Sequence, residues 1–238
     1  MIRRAVVLSI AIFANHADAG RALYGWLPST DTVPDGAIAI ESSIFERDDL
    51  GPTHERASVL VLAPVVGISD RFELALPFEL ASLTAIDVAS GPAFSKFGIE
   101  ARYRFAPRDA SWVPLARLAA VRDVAIRTEL RAETELGVAY QRGRLHAELD
   151  AGLVAEFNIG HLHTESRFGV GASIQIDTCL RLGGELHGEV AFDSASTSWA
   201  VIGPNLAWTH RRFWLAGALD IGVRAITAAP RINWGMTW

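Results

Sequence analysis

The chain alternates strictly between two sets of residues over residues 144–157. The even positions read Arg144, His146, Glu148, Asp150, Gly152, Val154 and Glu156, and the odd positions read Leu145, Ala147, Leu149, Ala151, Leu153, Ala155 and Phe157. A period of two predicts a β-strand, because successive side chains of a strand point to opposite faces. One face is apolar and the other is mostly charged, which is typical of a strand that spans a membrane between lipid and a polar lumen.

The composition agrees with this pattern and argues against other classes of protein. Mean hydropathy is +0.22 although 21% of the residues are charged, as expected when half of each strand faces lipid. The formal net charge is -5 and no basic patch is present, so nothing indicates nucleic-acid binding. Cys179 is the only cysteine, which excludes an intrachain disulfide.

The N-terminus has the pattern of a secretory signal peptide. Arg3 and Arg4 form a positive start, residues 5–14 are apolar, and Ala17-Asp18-Ala19 has the A-x-A form of a cleavage site. We therefore expect residues 1–19 to be a signal peptide that is cleaved after Ala19. The apolar run is too short for a spanning helix, which needs about 20 residues, and no later run approaches that length.

The rest of the chain divides into an irregular lead and a barrel. Residues 20–35 contain Pro28 and Pro34, and they are expected to lie in the periplasm or inside the lumen. Residues 36–238 predict an all-β, antiparallel, up-and-down transmembrane barrel of about 12 strands. The candidate strands are 37–46, 56–68, 71–80, 96–105, 112–121, 128–140, 144–157, 164–176, 179–192, 198–209, 213–224 and 230–238.

The connections and the aromatic residues favour a membrane barrel over a secreted β-sandwich, which also alternates. Short turns alternate with longer loops near 46–55, 81–95, 158–163 and 193–197, and outer-membrane barrels place the short turns in the periplasm. Aromatic residues gather at both strand ends, as two membrane interfaces would select. Beside the short turns they are Phe72, Phe105, Trp112, Tyr140, Trp208, Phe213 and Trp238, and at the other ends they are Phe78, Phe97, Phe157, Phe168 and Phe192.

Three stretches resemble known outer-membrane β-barrel proteins of Gram-negative bacteria. The C-terminal strand, which ends Asn233-Trp234-Gly235-Met236-Thr237-Trp238, is similar to the signal that barrel-assembly machinery recognises. Residues 96–105, and residues 202–206 followed by 213–216, resemble transporters related to the MetA-pathway phenol-degradation family. The resemblance implies outer-membrane location and passage of small solutes, apolar ones included, and it carries over no catalytic residue. The N-terminal segment is too short for the large plug of fatty-acid transporters.

The same alternation predicts which charged side chains line the lumen. They are Glu73, Glu100, Arg102, Arg104, Arg117, Glu129, Arg131, Glu133, Glu135, Arg144, His146, Glu148, Asp150, Arg167, Arg181, Glu185 and His187. One interpretation is a pore wall that tunes solute selectivity. The other is a ladder of ion pairs that fills a non-conducting barrel, and about twelve strands lie between the filled eight-stranded and the open porin-sized cases.

No catalytic, cofactor or metal site is predicted. His161 and His163 form a His-x-His pair without a third ligand at fixed spacing. A barrel hydrolase needs a Ser–His pair on the lipid face, whereas His146 and His187 are predicted to face the lumen. The sequence therefore favours a passive channel or transporter for small solutes. A non-conducting structural or loop-binding barrel is the alternative, and a barrel hydrolase is disfavoured. The expected partners are outer-membrane lipid and the barrel-assembly machinery, with no nucleic acid.

Overall fold

A computed structural model describes residues 21–49, 56–85, 88–124, 126–193 and 197–238. The predicted signal peptide lies outside the described residues. All regular secondary structure in the described part of the chain is β-strand. No helix in that part is long and apolar enough to cross a membrane.

The described residues form sixteen strand segments that build a twelve-stranded barrel. The segments are β1 Ile38–Asp49, β2 Arg56–Ser69, β3 Phe72–Ala75, β4 Phe78–Ala85, β5 Val88–Ala89, β6 Ala93–Arg104, β7 Trp112–Asp123, β8 Leu130–Arg142, β9 Leu145–Asn158, β10 His161–Gln175, β11 Leu180–Ala191, β12 Trp199–His210, β13 Phe213–Ala218, β14 Ile221–Arg224, β15 Ile226–Ala228 and β16 Arg231–Thr237. The pairs β3–β4, β13–β14 and β15–β16 each make one interrupted barrel strand, and β5 is a short extension in a loop.

Pairing between the first and last strands closes the sheet. Strand β1 pairs antiparallel with β2 on one side and with β16 on the other, from Ala39↔Thr237 to Phe45↔Arg231. All neighbouring strands pair antiparallel in chain order, which confirms the predicted up-and-down barrel. Closure gives the backbone N–H and C=O groups of both terminal strands a partner, as a structure inside lipid requires.

Several predicted boundaries are wrong for local reasons. The predicted strand 71–80 is interrupted before Pro77, which has no N–H to donate to the neighbouring strand. The predicted loop 158–163 is a tight turn at Ile159 and Gly160, where Gly160 takes a φ of 76°. The predicted loop 81–95 is shorter, because β4 continues to Ala85 and β6 begins at Ala93.

The two faces of the barrel differ as the alternation predicts. Leu149 and Leu153 are 57% and 55% exposed, whereas Glu148 and Asp150, on either side of Leu149, are 3% and 2% exposed. An exposed apolar belt of this extent is expected on a surface that contacts lipid rather than water. Aromatic side chains pack together near both ends, for example Trp112 against Tyr140 with ring centroids 4.7 Å apart.

The two ends of the barrel differ in their connections. The short-turn rim is formed by the turns at residues 70–71, 105–111, 143–144, 176–179 and 211–212, and it also carries the start of β1 and the end of β16. The opposite rim carries the remaining connections. The lumen between them receives the alternate side chains of every strand.

We predict that Leu149→Arg destabilises the barrel in lipid by about 2–4 kcal/mol, because it places a charge on the lipid face near the middle of β9. Leu145→Arg is the matched control, since it changes the same residue type on the same face at the short-turn rim, where the cost is about 0–1 kcal/mol. Urea unfolding of both variants in lipid vesicles measures the difference. Equal losses would show that the assigned lipid face or its depth is wrong.

Candidate functional site

The N-terminal lead lies inside the barrel. Residues 21–35, which we call the plug, run into the lumen from the short-turn rim and return to it before β1 begins. Tyr24, Leu27 and Val33 are each at most 3% exposed. The plug reaches deepest at Trp26, which packs against Trp199 at the start of β12, with ring centroids 5.5 Å apart. Most of the plug therefore lies in the short-turn half of the lumen, and its tip reaches the level of the opposite end of β12.

Glycines in β10 provide the space in which the plug packs. A Cβ atom at Gly171 would lie 2.6 Å from the ring of Tyr24, and one at Gly169 would lie 3.1 Å from Cγ of Leu27. Larger residues at these two lumenal positions would displace the plug. The barrel wall is thus shaped to receive these side chains.

Side chains of the wall bind the backbone of the plug. Asn205 donates from Nδ2 to the carbonyl oxygen of Leu23 at 2.6 Å, and Asn233 donates to that of Gly25 at 2.7 Å. The N–H of Gly25 donates to Oε1 of Glu185 at 2.9 Å. These bonds satisfy backbone groups that an irregular segment would otherwise bury without partners.

Ion pairs hold the plug near its two ends. Arg21 donates to Oε2 of Glu73 at 2.7 Å and lies 2.5 Å from Oε1 of Glu41. Near the other end, Asp31 pairs with Arg104 at 3.2 Å and with Arg108 at 3.0 Å. The hydroxyl of Thr32 donates to the carbonyl oxygen of Asp70 in the first short turn.

The part of the wall behind the plug carries carboxyl groups that lack donors. Glu148, Asp150 and Asp220 are at most 3% exposed, and no N–H or hydroxyl group among the described residues donates a hydrogen bond to Asp150, to Asp220 or to Oε1 of Glu148. Burying carboxylates without donors costs free energy, because they lose contact with water. Many polar contacts therefore bind the plug, while the buried carboxyl groups behind it destabilise the bound state.

A second part of the wall is a continuous ladder of ion pairs. Arg117 in β7 is its centre, with its guanidinium 2.7 Å from Glu100, 2.9 Å from Glu133 and 3.2 Å from Glu135. The ladder also contains Arg102 bound to Glu100, Arg131 bound to Glu133 and Glu156, and Arg167 bound to Glu133 and Glu189. Arg102 also lies 3.6 Å from Glu73, so the ladder connects to the plug through Arg21.

A cavity of about 510 Å³ lies between the ladder, the plug and the first two strands. Its third wall is apolar, because lumenal positions of β2 carry Ala57, Val59, Val61 and Ala63. The tip of the plug at Trp26 forms part of the lining. The volume is in the range of small-molecule sites, which hold about 300–1,000 Å³.

The structure separates the predicted pore-lining residues into groups. Those that line the cavity are Glu100, Arg102, Arg117, Arg131, Glu133, Glu135, Arg167 and His187. Those whose side chains bond to the plug are Glu73, Arg104, His146 and Glu185, and Glu148 and Asp150 lie in the wall behind it. Glu129 lies before β8 at the opposite rim, Arg144 lies exposed in a short turn, and Arg181 donates to the Arg144 carbonyl oxygen. Their part in conduction stays a prediction.

Sequence analysis missed the residues through which the plug acts. Tyr24, Trp26 and Leu27 belong to a segment with no periodicity, so no strand pattern selects them. One signal was available: β2 is apolar on both faces, and Val59 and Val61 face a lumen to which β6–β11 contribute many charged side chains. A lumenal apolar stretch indicates that something other than bulk water packs against it.

His161 and His163 lie at the start of β10 and not in a loop. His163 contacts Asp193 through Nδ1 at 2.5 Å and lies 3.7 Å from Glu165 through Nε2. Within the described ranges, no group of three His, Cys, Asp or Glu side chains is arranged to hold a metal ion.

Comparison with solved structures relates the fold to outer-membrane barrels. The chain is similar to an outer-membrane channel from Pseudomonas putida F1, at 12% identity over 87% of this chain and 97% of that chain, with a TM-score of 0.61. It is similar to the KdgM porin, at 8% identity over 83% and 98%, with a TM-score of 0.57. It is also similar to the beta domain of the Bordetella autotransporter Brka, at 12% identity over 85% and 99%, with a TM-score of 0.57.

These likenesses show the barrel fold, which channels share with an autotransporter domain. No protein-family model matches the chain, and no curated protein matches it. The resemblance to the MetA-pathway family therefore stays a prediction from short stretches of sequence.

We predict that Arg117→Met destabilises the folded barrel by about 3 kcal/mol, because it leaves three carboxylates of the ladder without their shared cation. Arg142→Met is the matched control, since Arg142 is exposed at the end of β8, and its loss should stay within about 0.5 kcal/mol. Reversible urea unfolding in detergent micelles gives both values. If the two variants lose equal stability, the ladder does not contribute as described.

Proposed function

We propose that this protein is a channel for small solutes in the outer membrane of a Gram-negative cell, and that the plug closes its periplasmic half. The apolar outer face supports a location in lipid, and the fold is that of outer-membrane porins and channels among others. On this proposal the short-turn rim faces the periplasm, as in other barrels of this kind. The strand that ends at Trp238 would engage the assembly machinery, and β16 would then close the barrel on β1.

The observation that carries the proposal is the way in which the plug is bound. The plug is joined to the wall by hydrogen bonds and ion pairs from separate side chains, among them Asn205, Asn233 and Glu73. It lies over Asp150 and Asp220, whose oxygens lack donors among the described residues. A neutral hydrogen bond contributes only about 0.5–1.5 kcal/mol net and one to a charged group about 1.5–3 kcal/mol, and the buried carboxyl groups without donors offset part of that stabilisation. The closed state can therefore be weakened in steps, by removing single contacts.

The ladder explains how the lumen stays polar once the plug leaves. Its ion pairs are made within the wall, so Arg117 and its partners keep their arrangement whether or not the plug is present. A wall of paired charges with a polar, hydrated surface permits small polar solutes to pass and tunes their selectivity. Release of the plug would also expose the carboxyl groups of Glu148 and Asp150 to the pathway.

A non-conducting barrel is the second candidate, and the filled short-turn half of the lumen is the observation that favours it. In that case the plug would be a permanent part of the core, in the way that side chains fill narrow barrels. The two candidates differ in one respect that can be measured, which is whether weakening the plug contacts increases conductance.

We predict that Asn205→Ala combined with Asn233→Ala raises the open probability of the channel about 10–30-fold, because removal of these side chains weakens the closed state by about 2 kcal/mol. The measurement is single-channel recording of the refolded protein in planar lipid bilayers. The size of the open steps should not change, since the ladder that lines the pathway is left intact.

Asn158→Ala is the matched control, because the Asn158 amide bonds to Thr128 at the opposite rim and does not touch the plug. Its recordings should match those of the unmodified protein. If the double variant is as silent as the unmodified chain, while remaining folded, the non-conducting barrel becomes the better account.

A further inference from the structure

Arg231 differs from the other cations of the cavity wall. Among the described residues it makes no ion pair, whereas Arg102, Arg117 and Arg131 are each bound to at least two carboxylates. Its one side-chain hydrogen bond there runs from Nε to Oδ1 of Asn233 at 3.1 Å. A guanidinium has five N–H donors, so most of the donors of Arg231 are available to a ligand.

Aromatic rings hold this guanidinium in place. The central carbon of the Arg231 guanidinium lies 4.9 Å from the ring centroid of Trp26 and 5.1 Å from that of Phe45. These contacts favour the cation through the ring quadrupoles but offer no hydrogen-bond acceptor. A planar fork of donors that faces a cavity matches the geometry of a carboxylate, which it can bind in a bidentate way.

Apolar side chains continue the site away from Arg231. The register places Arg231 beside Phe45, and Phe45 beside Val59 on the next strand. Neighbouring strands lie about 4.8 Å apart, so Val59 is about 10 Å from Arg231 along the wall. The adjacent row contains Ser43 and Val61. An anion bound at Arg231 would therefore lie beside an apolar surface that is long enough to contact a small ring.

The other cations of the lining are compensated by carboxylates of the wall. Arg21, Lys96, Arg102, Arg117, Arg131 and Arg167 line the cavity, and each of them forms an ion pair with at least one glutamate. Arg231 lines the same cavity without such a pair among the described residues.

We propose that the cavity binds a small monocarboxylate with an aromatic or apolar body, with the carboxylate on Arg231 and the body against Phe45, Val59 and Val61. This inference rests on the proposed function and names the class of solute that the channel takes. Trp26, at the tip of the plug, forms part of the site, so the ligand binds while the plug is in place. Arg231 would bind the carboxylate of the ligand, and the apolar side chains would contact its ring.

The experiment is a titration of the refolded full chain in detergent micelles with sodium benzoate at neutral pH, followed by calorimetry and by tryptophan fluorescence. We expect saturable binding to the unmodified protein. Arg231→Gln should weaken it about tenfold or more, because a charge-assisted bidentate contact is lost. Arg231→Lys, which keeps the charge but not the fork, should bind with intermediate affinity.

Arg212→Gln is the matched control, since Arg212 is exposed in a short turn and its substitution removes the same charge. It should bind benzoate as the unmodified protein does. Benzyl alcohol, which has the ring without the charge, should bind at least about tenfold more weakly, and equally to the unmodified protein and Arg231→Gln. These controls separate binding in the cavity from partition of the ring into the micelle.

Two results would overturn the inference: no saturable binding of benzoate to the unmodified protein, or equal affinity of the folded Arg231→Gln variant. Bilayer recordings on the same preparation separate this inference from the proposed function. A barrel that conducts without binding benzoate contradicts the ligand class alone. A barrel that binds benzoate but never conducts contradicts the channel and leaves the binding site in place.

Discussion

Everything in this barrel depends on hydrogen bonding of its first strand to its last. In lipid no water is present to satisfy backbone groups, so an open sheet edge would leave a row of costly unpaired N–H and C=O groups. The pairing of β1 with β16 removes that edge and fixes the lumen and the lipid face. The alternation of residues then determines whether each side chain faces lipid or the lumen. A shift of the strand register by one residue would turn Leu149 into the lumen and Glu148 towards lipid.

Closure creates a second problem, because twelve strands enclose a lumen too wide for their own side chains to fill. Two different arrangements fill the lumen. Along β6 to β11 the wall satisfies itself through the ion-pair ladder around Arg117. The glycines of β10 have no side chains and leave space in the lumen, and Tyr24 and Leu27 of the plug fill that space. The first solution is rigid and keeps the lumen polar, whereas the second is held by separable contacts over carboxyl groups without donors.

Much of the fold follows from the sequence because the period of two is local and strict. The strand count, the lipid face of β9 and the cavity position of Arg117 can all be read from alternation. The tight turn at Gly160 was not expected, because a polar stretch reads as a loop whether or not its residues pair across the turn. The plug could not be placed, since Tyr24 and Trp26 gain their positions only from contacts with distant strands. Arg231 has the alternation of a lumenal residue, but its lack of an ion pair depends on the register.

The central claim is that residues 21–35 close the lumen of a barrel that is otherwise complete. The most direct test is the single-channel conductance of a variant that lacks these residues, compared with the full chain in the same planar bilayer. The strand pairing from β1 to β16 does not include the plug, so the variant is expected to fold. The account predicts that removal of residues 21–35 gives steps of at least the same size that stay open far longer. Identical recordings from two folded barrels would contradict it.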